Sequence, residues 1–170
     1  VNKAIANLAK LSPAPLAEKS RVAAITAANY DDNLEALRGC DLVIEAIAER
    51  MDWKLDLYKR IAPYLSDSAV VASNTSGLSI NALAVALPPA LRPRFSGIHF
   101  FNPPRYMHLV ELIPDKETDR TVLAGLEAFL TTTLGKGVVY AKDTQNFIRN
   151  RIVVFSILAP MHHTEKFGLG

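Results

Sequence analysis

The sequence predicts an α/β fold built on an open sheet, and three observations carry that expectation. Apolar runs of strand length alternate with stretches of helical period along the chain. The runs "DLVIEAI" (41–47) and "SAVVA" (68–72) are nearly continuous in hydrophobicity, as strands covered on both faces of a parallel sheet should be. Small polar and acidic residues follow directly after them, and open α/β sheets bind ligands beyond the carboxyl ends of their strands.

Each element follows in turn. Residues 1–11 place Val1, Ile5 and Leu8 on one helical face, then break at "SPAPL", where two prolines cannot continue a helix. "RVAAIT" (21–26) reads as a short strand, and "DLVIEAI" as the next. Its successor reads as a helix, because Trp53, Leu57, Ile61 and Leu65 recur every four residues and leave Lys54, Lys59 and Arg60 for solvent. "SAVVA" precedes a helix over "LSINALAVAL" (78–87). After the proline-rich "LPPALRPR", two strand-like runs, "FSGIHFF" and "YMHLVELI", are joined by "NPPR". A helix over about 118–134 ends at Gly135, a C-cap position, and leads into the strand "VVYA". From Asp143 the chain reads as a long apolar helix containing Pro160, whose exposed apolar surface over 147–161 implies that something covers it.

Composition narrows the function classes. With 170 residues, 49% of them hydrophobic, the chain can bury one sizeable core. A net charge of +2 with both signs interspersed offers no basic stripe for nucleic acid. No apolar run approaches the ~20 residues needed to span a bilayer, and "VNKAIANLAK" lacks a signal-peptide core. The single cysteine, Cys40, excludes an internal disulfide framework and fits a reducing compartment, so a cytoplasmic location is expected.

The chemistry concentrates where buried runs contain charge. If 106–113 is a strand, its period of two puts Met107, Leu109, Glu111 and Ile113 on one face and His108, Val110 and Leu112 on the other. Glu111 then lies among apolar neighbours, and a lone buried carboxylate costs several kcal/mol, so it needs a partner or a proton. His99 lies twelve residues earlier, and the proline turn can bring the two runs together. An adjacent carboxylate would orient the imidazole and stabilise an imidazolium formed during proton transfer. The bland alternatives are a satisfied core histidine and a Glu111 that serves Arg105 or a backbone donor. His108 reads as a surface residue. His162 and His163 are adjacent, about 100° apart on a helix, which is poor geometry for one metal, and nothing else offers metal-ligand spacing.

"SNTSG" (73–77) is a second constellation. Its small polar residues can cap the next helix, yet capping explains only one or two of them; the rest are available to a substrate or cofactor. "EAIAER" (45–50) places Glu45 and Glu49 at a similar edge, although Glu49 also suits the first turn of the following helix.

Four stretches, "DLVIEAIAE", "SNTSGLSI", "GIHFFNPPRYMHLVELI" and "KDTQNFIRNRI", in this order and at these separations, together resemble the L-3-hydroxyacyl-CoA dehydrogenases of fatty-acid β-oxidation, particularly the longer bacterial members. The resemblance implies oxidation of an L-3-hydroxyacyl-CoA to the 3-ketoacyl-CoA with NAD as cofactor. It assigns His99 as general base, Glu111 as the carboxylate that orients it, and Ser76 and Asn150 as groups that hold the reacting oxygen. Ala46, Glu49, Lys54, Asn74 and Asn102 match positions that line the NAD site. The expected fold is a partial Rossmann-like, doubly wound sheet over 1–142, the second half of an NAD-binding domain. Residues 143–170 would be the first long helix of an α-helical domain for substrate and dimerisation. The glycine-rich G-x-G-x-x-G turn of the family does not occur in the chain, and Gln145 and Asn146 stand where the family often has Pro-Gly. The implied partners are an acyl-CoA substrate and either a second copy or a larger multifunctional chain, with no nucleic acid and no membrane. Two other readings stay open: a non-catalytic fragment or binding module, and a relative acting on another hydroxy acid.

Overall fold

The computed structural model describes residues 1–169. Five strands lie side by side in chain order: β1 (Leu42–Glu45), β2 (Val70–Ser73), β3 (Phe95–Phe100), β4 (Leu109–Pro114) and β5 (Gly137–Tyr140). The first three are parallel, β4 returns antiparallel to β3, and β5 runs parallel to β4. The reversal has a local cause: residues 101–108, the link between β3 and β4, are too few for a parallel crossover and instead close a hairpin.

Helices cover both faces, which is the layering expected of a doubly wound sheet. On one face α2 (Met51–Ile61) and α3 (Ile80–Ala84) bury Tyr58, Ile61, Ile80 and Leu83 against Val71, Phe95 and Ile113. On the other, α4 (Arg120–Ala128) and the π-helical turn Phe129–Thr133 set Leu126 and Leu130 on Ala72, Ile98, Val110 and Leu112. Each such large apolar side chain contributes about 1.5–3 kcal/mol relative to exposure. Gly97 permits the close approach of α3: a Cβ there would lie 2.8 Å from Ile80 Cδ1 and 3.0 Å from Ile113 Cβ. Ser79 caps α3 by accepting the Ala82 amide, Asp119 caps α4 by accepting that of Thr121, and Gly135 (φ 65°) turns the chain into β5.

Several expectations are corrected. "RVAAIT" is not a strand: Lys19–Ala24 form a 3-10 helix in which only Val22 is even half-buried, so the segment has no apolar face to set on a sheet. The period of α2 holds, but its buried face is rotated. Trp53 is 50% exposed while Lys54 is fully buried, because Lys54 reaches a buried carboxylate. The helix read over 78–87 is only the short α3, preceded by its Ser79 cap. The long helix does not begin at Asp143. Asn146 and Phe147 adopt positive φ (63° and 48°), and α5 spans Arg149–Lys166 with Pro160 inside it. Ile152, Phe155 and Leu158 on α5 are exposed, but Phe147, read with them, is buried against the sheet. Among the described residues no helix is long and apolar enough to cross a membrane.

Candidate active site

The β3–β4 register sets His99 directly opposite Glu111. Both are buried, and His99 Nδ1 lies 2.8 Å from Glu111 Oε2. A carboxylate accepts, so Nδ1 is the donor of this bond; in the neutral imidazole that tautomer puts the lone pair on Nε2. The second oxygen of the same carboxylate, Oε1, accepts the amides of Ile148 (3.0 Å) and Arg149 (2.8 Å) at the start of α5. The demand for a partner is thus met twice, by the imidazole and by backbone donors. Arg105 does not serve Glu111; its guanidinium donates to the Ala14 and Leu16 carbonyls. The His99 ring is flanked by Phe101 (centroids 4.4 Å apart) and Phe147 (5.8 Å). His108 is exposed on the opposite face, as its alternation predicts.

The loop after β2 is held by Glu49. Its Oε1 accepts Thr75 Oγ1 (2.5 Å), the Ser76 amide (2.8 Å) and the Gly77 amide (3.1 Å). Asn74 Oδ1 accepts the Phe100 amide and ties the loop to the end of β3. Asn150 Nδ2 donates to the Ser76 carbonyl at 2.9 Å, so the loop also meets α5. The start of α5 thus meets both constellations, Arg149 bonding Glu111 of the His99 pair and the adjacent Asn150 bonding Ser76 across 74 residues. Ala46, after β1, and Asn102, after β3, are exposed in the loops that follow their strands.

Sequence reasoning missed a third cluster. Glu45 Oε1 accepts Lys54 Nζ (2.7 Å) and the Ile47 amide (2.6 Å), while Oε2 accepts Tyr58 Oη (2.9 Å) and Ser73 Oγ (2.8 Å). Burial, and then the Glu45 charge, push the Tyr58 phenol well above its ordinary range. The signal was present: Glu45 closes a continuous apolar strand, and Lys54 and Tyr58 are four apart on the following helix, hence on one face. Lys54 Nζ also lies 3.8 Å from Glu49 Oε2, so it supports the edge loops from beneath. Among the described residues, no group of three or more His, Cys, Asp or Glu side chains is placed to hold a metal ion.

A helix-covered α/β sheet with small polar loops gathered beyond its parallel strands defines a domain of the dinucleotide-binding class. Residues 1–144 match the family model described as 3-hydroxyacyl-CoA dehydrogenase, NAD binding domain. The chain belongs to that family. A protein of Deinococcus radiodurans named "Probable 3-hydroxyacyl-CoA dehydrogenase" is 41% identical over 160 residues, covering 94% of this chain and 46% of that protein. The crystal structure of FadB2 from M. tuberculosis superposes with a TM-score of 0.84 at 31% identity, over 99% of this chain and 59% of that one. That of the (S)-3-hydroxybutyryl-CoA dehydrogenase PaaH1 from Ralstonia eutropha superposes with a TM-score of 0.77 at 33% identity, over 99% and 58%. The chain thus spans about half the length of these relatives.

Proposed function

We propose that this domain serves the NAD-dependent oxidation of an L-3-hydroxyacyl-CoA to the 3-ketoacyl-CoA in fatty-acid β-oxidation, with His99 as general base. The observation that supports it most is the imidazole held through Nδ1 by a buried carboxylate, with the other nitrogen free to take a proton. In this reading His99 Nε2 removes the proton of the substrate's 3-hydroxyl, and Glu111 stabilises the imidazolium that forms. Such a positioned base contributes about 10²–10⁴-fold to rate. Ser76 and Asn150, joined across the loop and α5, hold the oxygen on which charge develops. The similarity to the Ralstonia (S)-3-hydroxybutyryl-CoA dehydrogenase supports an acyl-CoA as the substrate class.

The residues present fit the nicotinamide end of the cofactor. Ala46 is small and exposed beyond β1, Asn102 is exposed beyond β3, and the Glu49 side chain keeps 43% of its surface open with Oε1 alone committed to the loop. These groups, with Asn74, would line the ribose and nicotinamide, and buried Lys54 would act through Glu49. When bound, NAD supplies the hydride acceptor. Residues 1–142 are read as part of the cofactor domain, with 143–170 opening a helical domain. The exposed apolar side chains of α5 support a second copy or a further domain against it.

The test is acetoacetyl-CoA-dependent NADH oxidation by the full-length protein and by its His99→Gln variant. The wild type should turn over, and the variant should lose roughly 10³-fold in kcat with its melting temperature retained. An unaffected rate would overturn the assignment of the base.

A further inference from the structure

We propose that Arg149, in the first turn of α5, is a positioning residue for His99, acting through the ring of Phe101. The inference rests on the reading of His99 as the base. The Arg149 guanidinium carbon sits 4.4 Å from the centroid of Phe101, and that ring lies 4.4 Å from the His99 imidazole at an interplanar angle of 58°. Phe101 is only 4% exposed, so a buried ring stands between the half-buried cation and the imidazole tilted against it. Among the described residues no carboxylate lies within 4.0 Å of this guanidinium; the aromatic face is what holds the cation.

The same residue touches the other side of the base. Its backbone amide donates to Glu111 Oε1 at 2.8 Å, and Glu111 Oε2 accepts His99 Nδ1–H. One hydrogen bond at Nδ1 fixes a point of the imidazole but leaves its plane free to tilt about the Nδ1–Oε2 line. A ring packed at a tilt against the imidazole restricts that freedom, and the guanidinium restrains the ring. Arg149 therefore secures the hydrogen-bonded edge of His99 through its main chain and the tilt of the ring through its side chain. Aim matters for a base, because a displacement of about 1 Å can cost 10²-fold in rate.

The experiment compares Arg149→Met, Arg149→Lys, Phe101→Leu and the Arg149→Met/Phe101→Leu double variant in the full-length protein. Arg149→Met should lower kcat about tenfold with KM within about twofold of wild type, and Arg149→Lys should recover part of the loss. The double variant should be no slower than Phe101→Leu alone, since both changes act through one ring. In NMR spectra the His99 ring proton signals should move in Arg149→Met, because the Phe101 ring current on them changes. Wild-type kcat with unmoved His99 signals in Arg149→Met, or additive losses in the double variant, would overturn the proposal. His99→Gln measured alongside separates the two readings. If it is fully active, the base assignment fails, and the NMR signals then decide by themselves whether Arg149 positions His99.

Discussion

Two buried glutamates in one sheet show how the same cost is met for different ends. Glu45 on β1 and Glu111 on β4 are each at most 4% exposed, and each carboxylate uses both oxygens. Glu45 is satisfied by an ammonium, a phenol, a hydroxyl and a backbone amide, four donors that use both of its oxygens. Glu111 is satisfied on one oxygen by two backbone amides and on the other by an imidazole nitrogen. The first arrangement is a closed ion pair that fastens α2 to β1. The second holds an imidazole by one nitrogen only, the arrangement that the proposed function uses.

Breaking the closed pair should have the largest effect. Lys54→Met leaves Glu45 charged, buried and without its cation, so stability should fall by about 3–5 kcal/mol in urea unfolding. Adding Glu45→Gln to Lys54→Met should restore part of that loss, because the uncompensated charge disappears. A double variant as unstable as their summed single effects would show that the cluster is not a coupled unit.

The matching change at the open pair should act on rate instead. In Glu111→Gln the side chain still offers an oxygen to the Ile148 and Arg149 amides, so stability should change by only about 1 kcal/mol. Its NH2 then faces Nδ1, which must accept rather than donate, so the hydrogen moves to Nε2 and the base is lost; kcat should fall by at least about 10²-fold, or about 2.7 kcal/mol in the barrier. Equal losses of stability in Glu111→Gln and Lys54→Met would erase the distinction between the two sites.

A smaller effect sharpens the comparison at a third carboxylate. Burial acts to raise the Asp143 carboxyl, but donors from the Asn81 amide, Ser79 Oγ, the Asn81 side chain and the Ile80 amide outweigh it and hold it below its ordinary range. A depressed carboxyl contributes stability that is fully present above its unfolded value, near 3.9, and is lost as pH falls through the folded one. Asp143→Asn should therefore lower the melting temperature slightly at pH 7 and flatten its decline below about pH 4. A parallel decline in wild type and variant would remove Asp143 from the linkage.

Much of the site was legible because strand geometry is strict. Alternation along 106–113 placed Glu111 on the face of Ile113 and His108 on the other, and the short proline-rich link made His99 the natural partner. Helical period was less decisive. A four-residue repeat in α2 defines a stripe but not its borders, so Trp53 and Lys54, adjacent on the helix, exchange their expected environments. What settles the choice is Glu45, nine residues earlier and across a turn, which draws the ammonium inward.

Local pattern by itself determined the order of strands and helices from β1 onward, the apolar faces of the sheet and the requirement that a buried carboxylate be paired, because those follow from side-chain period and the cost of burying charge. Only the tertiary structure decided which donors do the pairing. Glu111 meets the Ile148 and Arg149 amides from 37 and 38 residues away, and Asn150 meets Ser76 across 74. Contacts of that span depend on where buried Phe147, in its positive-φ turn, anchors the start of α5, and no periodicity in the chain encodes that placement.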